Sequence, residues 1–343
     1  MLYRISGKII SGGVVMKKVI CILVAAVLCI GIVAGCRPSG SGTSAGSSNV
    51  VAMIVSIPQG NPFLTLAFSG VKRLAEEKSV EARIIEALDK SEYREQIRAM
   101  AEAGANPIYV VWDDLSNEAF AIADQFPDTK FIAVDTYSHQ PHPNVKTIVV
   151  EPQEASFIAG FLAAKITATN RVGWLGSADM PVINRFRAGF EAGVRYGGPN
   201  VFIESLYIGD PNDPNKGNEL AKQVIGKGAD VLMHSANESG LGVIRACEEM
   251  GVKAIGVDEW QGAINEDVVF WSALKDIAGA TYTAGRSVLE GTFTPGIEVY
   301  GIDSGILLYD PRDFNKLSSD LQQEVQELAD KIRSGEIKVP GNI

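Results

Sequence analysis

Apolar residues in this chain come in two forms: short β-branched runs, and longer segments where apolar positions return every three or four residues. The first form predicts strands and the second amphipathic helices. Val51–Ile57 predicts a strand, followed by a helix over Phe63–Lys78. Ala82–Ala87 then precedes a helix over Glu92–Gly104, and Ile108–Val111 precedes one over Ser116–Phe126. Phe131–Val134 and Thr147–Val150 follow, then a helix over Gln153–Ala168. A second series pairs Val172–Leu175 with a helix over Val182–Tyr196, Val201–Tyr207 with Asn215–Gly228, and Val231–His234 with Ser239–Met250, before Ala254–Val257. Val268–Leu274, a helix over Ile277–Leu289, strand-like Ile297–Tyr300 and Ile306–Leu308, and a helix over Ser318–Ser334 complete the pattern.

Alternation of strand and helix predicts an α/β protein with parallel sheets covered on both faces. Two such series predict two doubly wound lobes. The expected division puts residues 49–168 plus 275–293 in an N-terminal lobe and 169–274 plus 294–343 in a C-terminal lobe. Ligands of open α/β sheets sit beyond the carboxyl ends of the strands. Residues just after each strand therefore form the candidate list, and two facing lobes would gather them around one cleft.

The N-terminal pattern differs. Val19–Val33 is an apolar run preceded by Lys17 and Lys18 and followed by Gly35 and Cys36. It is shorter than the roughly 20 residues of a membrane-spanning helix and has the layout of a secretory signal. Residues 1–35 are thus expected to be a signal peptide, with Met16 a natural start. Val33-Ala34-Gly35-Cys36 resembles a bacterial lipobox, which implies lipidation of Cys36 and anchoring to the extracytoplasmic face of a membrane. Residues 36–48 would then be the lipidated cysteine and a flexible Gly/Ser-rich tether.

Four cysteines suggest disulfides until they are placed. Cys21 and Cys29 fall in the signal and Cys36 would carry lipid, which leaves Cys247 alone. The formal charge of −10 becomes about −14 once Arg4, Lys8, Lys17 and Lys18 are removed. That acidity argues against nucleic acid as a partner.

Several motifs fail on context. Gly42-Thr43-Ser44-Ala45-Gly46 matches a nucleophile elbow but lies in the tether, with no strand before it. Gly240-Leu241-Gly242 with Asp258 echoes a dinucleotide fingerprint, yet Arg245 stands at the third glycine position. His139 and His142 lack the further ligands a metal needs. His234 ends a strand and reads equally well as a core or a cleft residue. Glu76-Glu77 and Glu248-Glu249 read as solvated helix faces. No cofactor, metal site or catalytic set is expected.

The strand ends carry more. Asp135, Asp258 and Lys275 each directly follow a strand. Carboxylates there can accept paired bonds from vicinal hydroxyls, with a lysine balancing charge. Each alone could equally be a helix cap or surface ion pair. Among the aromatics, Phe63, Trp112 and Trp260 sit where a planar ligand could stack, whereas Trp174 and Trp271 lie inside strands and are expected in the core.

Phe131–Asp135 (FIAVD), Glu154–Ala164 (EASFIAGFLAA), Phe186–Gly193 (FRAGFEAG), Ala229–Gly242 (ADVLMHSANESGLG), Ala254–Asp258 (AIGVD) and Ser272–Lys275 (SALK) follow in an order and spacing that resembles the basic membrane protein family of bacterial lipoproteins. The resemblance implies a type I periplasmic-binding fold with three crossovers between lobes. It also implies capture of a nucleoside, most naturally a purine, for an ABC transporter permease by a monomer. It implies ligand contacts from Asp135, Asp258 and Lys275, stacking by Phe63, and a small-residue turn at Ser239 and Gly240. Two departures stand out. Gln59-Gly60-Asn61-Pro62-Phe63-Leu64 lacks the family's early carboxylate, and Gly209-Asp210-Pro211 lacks its second stacking aromatic, a role Trp112 or Trp260 could fill. A sensory receptor of the same fold, and an exported α/β enzyme, are the competing readings.

Overall fold

Burial follows the β-branched runs. Every residue of Ile108–Val111 (β3) and Phe131–Val134 (β4) is buried, as is every residue of Val145–Val150 (β5). The computed structural model describes residues 49–304 and 306–343. The signal segment, Cys36 and the tether lie outside the described residues. No described helix is long and apolar enough to cross a membrane.

In the first sheet, Val50–Val55 (β1), Glu81–Glu86 (β2) and Gly296–Tyr300 (β11) join the three strands above in the order β11-β5-β4-β3-β1-β2. Arg171–Gly176 (β6), Phe202–Tyr207 (β7), Val231–Ser235 (β8), Lys253–Asp258 (β9) and Val269–Leu274 (β10) form the second sheet, in the order β10-β9-β8-β6-β7. Neighbouring strands pair in parallel throughout. Both sheets are doubly wound, and the edge strands β2, β7 and β11 are partly exposed.

Pro62–Lys78 (α1) and Ile277–Leu289 (α8) cover one face of the first sheet around Val51, Met53, Tyr109 and Ile132. Tyr93–Glu102 (α2) and Trp112–Ile122 (α3) cover the other around Ile54, Val110 and Phe131. In the second lobe, Gln153–Ile166 (α4), Pro181–Gly197 (α5) and Ser319–Arg333 (α10) enclose Trp174 and Trp271, both fully buried. Pro214–Gly226 (α6) and Asn237–Met250 (α7) cover its opposite face, where Cys247 is buried. Pro311–Phe314 (α9) leads into α10.

Start signals are local. Asn61 Oδ1 accepts from Leu64 N–H at 3.2 Å with Pro62 at the first helical position of α1. Asp213, Asp276 and Ser318 cap α6, α8 and α10 in the same way.

The structure moves the expected lobe boundary in two places. Helix α4 packs its apolar residues into the second lobe's core, so the first crossing comes at Glu151–Pro152 and not after 168. A uniformly apolar helix carries no mark of which sheet it covers. Strand β11 returns to pair with β5, so residues 296–300 extend the first sheet and the final crossing follows Tyr300. The second crossing is at Lys275–Asp276, between β10 and α8. Ile306–Leu308 forms no strand: Leu308 O accepts from Leu274 N–H at 3.0 Å, and Tyr309 makes a single antiparallel bridge to Ala273. Helix α3 starts four residues earlier than expected, directly at the end of β3.

Helices α4 and α5 approach closely because glycines face backbone. A Cβ on Gly193 would overlap the Phe157 carbonyl, and one on Gly160 the Phe190 carbonyl. Gly193→Ala should therefore lower stability by about 2–3 kcal/mol, as overpacked cores do. Gly226, whose Cβ would meet open space, should accept alanine without loss. Urea denaturation of both variants checks this; equal midpoints would refute the close contact.

Candidate functional site

Carboxyl ends of both sheets meet around a cavity of about 70 Å³ lined by Phe63, Trp112, Asp135, Val182, Ile183, Phe186, Ser235, Asn237, Asp258 and Lys275. Four of these have left-handed backbone without being glycine: Trp112 (φ 65°), Asp135 (54°), Asn237 (50°) and Asp258 (66°). Asp and Asn tolerate this region; a tryptophan there is a true outlier. Such conformations cost on the order of 1–3 kcal/mol each and persist only where the surrounding fold imposes them. Asp258 is the last residue of β9 and the other three follow a strand at once or within two residues, so strand ends turn sharply toward one point.

Across that point Lys275 Nζ, just beyond β10, donates to both carboxylate oxygens of Asp135, at the end of β4, at 2.6 and 2.7 Å. The side chains are 2% and 4% exposed, so this ion pair joins the lobes almost out of water. The same ammonium lies 5.2 Å from the Phe63 ring centre, and Phe63 stacks on Trp112 at 5.6 Å with 22° between planes. Thr136 donates its hydroxyl to Asp113, which ties the end of β4 to the start of α3.

Asp258 is held by its backbone, whose carbonyl accepts from Lys275 N–H at 3.0 Å. Its carboxylate has no hydrogen-bond partner among the described residues. Burial pushes its pKa up to about 6, with Lys275 pulling it down and Asp135 and Glu259 adding to the rise.

Sequence reasoning thus brought five of its candidates together: Phe63, Trp112, Asp135, Asp258 and Lys275 line the cavity. The other three lie elsewhere. Ser239 is fully buried and structural: its hydroxyl donates to Asp210 O at 2.7 Å and accepts from Asp213 N–H at 2.9 Å. Gly240 packs against the His234 ring, which a Cβ would overlap. Trp260 lines an adjoining groove of about 350 Å³ that shares Asp258 with the cavity. There its indole donates to Asp313 at 2.9 Å and the Arg312 guanidinium covers its ring at 3.4 Å. His234 is a core residue: its Nε2 pairs with Gln261 Oε1 at 2.9 Å, and burial lowers its pKa to about 4, so it is neutral near pH 7. Among the described residues, no three or more His, Cys, Asp or Glu side chains gather as metal ligands.

Phe186, Ser235 and Asn237 line the cavity and were not among the expected contacts. Phe186 provides an aromatic side chain from the second lobe, which the sequence appeared to have lost. Its place on α5 reads by period as ordinary core. A second interlobe contact lies outside the cavity: Arg185 of α5 bonds Glu151 at 3.0 Å and stacks over the Tyr137 ring at 4.4 Å.

Comparison with known proteins agrees with this architecture. The family model described as ABC transporter substrate-binding protein PnrA-like (Bmp) matches residues 47–343. "Basic membrane protein A2" of Borrelia garinii subsp. bavariensis is 31% identical over 282 residues, covering 80% of this chain and 83% of that one. "ABC transporter nucleoside-binding protein BmpA" of Lactococcus lactis subsp. cremoris is 24% identical, covering 94% and 99%. A crystal structure of an ABC transporter solute-binding protein from Aeropyrum pernix superposes with a TM-score of 0.74 at 24% identity, covering 85% and 93%. The fold is the type I periplasmic-binding fold expected above.

An acid whose pKa the fold raises costs stability while ionised. For Asp258 that cost is full above about pH 6 and is relieved as pH falls toward its ordinary value near 4. Asp258→Asn should therefore stabilise the empty protein at pH 7.5 by on the order of 1 kcal/mol. The advantage over the unmodified protein should shrink as pH drops from 7 to 4.5. Urea titrations across that range test it, and an advantage that grew on acidification would reverse the sign.

Proposed function

The chain belongs to the Bmp family of PnrA-like ABC transporter substrate-binding proteins, and from that premise we propose that its ligand is a nucleoside, most naturally a purine nucleoside, bound between the lobes without chemical turnover. The observation that carries this reading is the unpartnered carboxylate of Asp258 beside Lys275, across the cavity from the aromatic pair Phe63 and Trp112. A carboxylate without a protein donor suits the vicinal hydroxyls of a ribose, which offer two donors on adjacent carbons. Lys275 would hold Asp135 and donate a further bond to the sugar. Phe63 and Phe186, from opposite lobes, would take the two faces of the base. The name borne by the Lactococcus relative supports the ligand class.

Ligand binding would shift the lobes toward the closed arrangement, because contacts from both lobes exist only when the cleft is shut. The closed rim would then meet a permease. On this reading the protein works as a monomer outside the cytoplasm, held by lipid on Cys36 at the end of a tether spanning residues 37–48. Neither nucleic acid nor a metal takes part.

Calorimetry against a panel of nucleosides, free bases and sugars tests the ligand class. A nucleoside should bind, and Asp258→Ala should weaken it by more than tenfold, roughly what loss of a charge-assisted bond entails. Absence of binding to every nucleoside would remove the proposal. For the anchor, Cys36→Ser should move the exported protein from the membrane fraction into the soluble one; continued membrane retention would show that lipid is not the attachment.

A further inference from the structure

The second-lobe wall of the cavity carries hydrogen-bonding capacity that the protein itself leaves unused. Ser235 ends β8. Val231 and Met233, four and two residues earlier, point to the face covered by α4 and α5. Strand alternation turns Ser235 to the same side, and it lines the cavity together with Val182, Ile183 and Phe186 of α5. Its residue is 3% exposed, and its hydroxyl has no hydrogen-bond partner. A hydroxyl buried in that state is destabilising, and native structures rarely leave one so.

Asn237 stands two residues on, at the start of α7, with φ 50°. An asparagine there would ordinarily cap the helix. It does not: the capping position is Ala236, with no side-chain cap bond. The Asn237 carboxamide makes no hydrogen bond with the described residues. Ser239 gives the contrast within the same turn, since both of its bonds go to the 210–213 loop. One polar residue of the turn is structural, and the other two belong to the cavity lining with side chains that no described residue bonds.

This wall is also neutral. The charged residues lining the cavity are Asp135, Asp258 and Lys275, and the first and last of these neutralise each other. A hydroxyl beside a carboxamide offers donors and acceptors but no charge. Its complement is a flat, uncharged edge in which an acceptor sits beside a donor. A purine with an oxo or amino group at carbon 6 has that edge; a carboxamide pairs with such edges in a bidentate manner.

We propose that Ser235 and Asn237 are specificity-determining residues that read the substituted six-membered-ring edge of the base, an assignment that rests on the nucleoside reading above. Phe63 and Phe186 would hold any aromatic ring; these two residues select among rings.

The test compares inosine with purine riboside, which keeps the ribose and both rings but lacks the group at carbon 6. Calorimetric affinities are measured for the unmodified protein, Ser235→Ala, Asn237→Gly and the double variant. Glycine is chosen at 237 because it accepts positive φ without strain. The unmodified protein should favour inosine by at least about tenfold, the ordinary effect of one well-made bond. Each variant should lower inosine affinity by about tenfold and leave purine riboside within threefold, with unchanged thermal midpoints for the empty protein. Equal affinity of the unmodified protein for the two ligands would overturn the assignment. So would variants that keep its preference, or that lose both ligands equally. If the unmodified protein binds neither ligand nor any other nucleoside, the nucleoside reading falls first and this assignment with it. Loss of preference with ribose-dependent binding retained upholds both.

Discussion

One buried ion pair sets the geometry on which the cleft depends. Lys275 and Asp135 meet with both side chains almost fully out of water. A pair of this kind gains little net stability over apolar packing, because each ion must first be stripped of water. What it supplies is register. Asp135 belongs to the first sheet and Lys275 to the end of the second, so the two bonds form only when the strand ends face each other at one separation. Removing either partner would strand a charge in the interior, a loss of about 3–5 kcal/mol. From this contact the rest of the site is laid out: the Lys275 ammonium lies 5.2 Å from the Phe63 ring centre, and its backbone N–H fixes the Asp258 carbonyl.

The ion pair can act as a fixed point because the elements carrying it are stiff. Strand β4 is buried along its whole length and sits between β3 and β5, while β10 lies against α4, α9 and the Tyr309 bridge. The left-handed turns at Trp112, Asp135, Asn237 and Asp258 are then imposed by the sheets and not chosen by the residues. Movement is left to the three crossings, at Glu151–Pro152, at Lys275–Asp276 and after Tyr300. Arg185 bonds Glu151 in the first of these and covers Tyr137 beyond it. The lobes therefore share a second, more exposed contact outside the cavity, and salt should weaken that one more than the buried pair.

Much of this was legible before the fold was known, and what was missed had physical causes. Buried parallel strands announce themselves as continuous β-branched runs, so β3, β4 and the residues at the ends of β4, β9 and β10 could be placed. The rule that residues after strands face the cleft worked for Asp135, Asp258 and Lys275. Trp260, two positions beyond Asp258, lines the adjoining groove, where Asp313 and Arg312 hold its indole. Ser239 and Gly240 lie in a turn near the site but face inward, toward Asp210 and His234. Phe186 could not be told from core because a helix face lining a cavity has the same period as one lining a sheet. The side taken by α4 and the return of β11 to the first sheet are tertiary choices with no local signature. Asn237 had one: an asparagine just past a strand is a residue that tolerates left-handed backbone, and the strained positions here mark the site.

The cavity's asymmetry explains how capture and closure can be linked. Its charged wall holds a satisfied ion pair next to an unsatisfied carboxylate, and the latter is costly enough that burial drives the Asp258 pKa to about 6. If the lobes close as proposed, shutting them over an empty site would strip water from that carboxylate with no donor to replace it, which would disfavour the empty closed state. On the proposed reading, ribose hydroxyls would replace the lost water, and the closed state would gain most from the ligand that supplies two donors in the right place. A ligand shifts such an equilibrium only by its difference in affinity for the two states. On the proposed reading Asp258 would create that difference on one wall, and the hydroxyl and carboxamide of Ser235 and Asn237 would create it on the other. The same unmet bonds that make the empty cleft costly to close are therefore what would make closure report that the right molecule is inside.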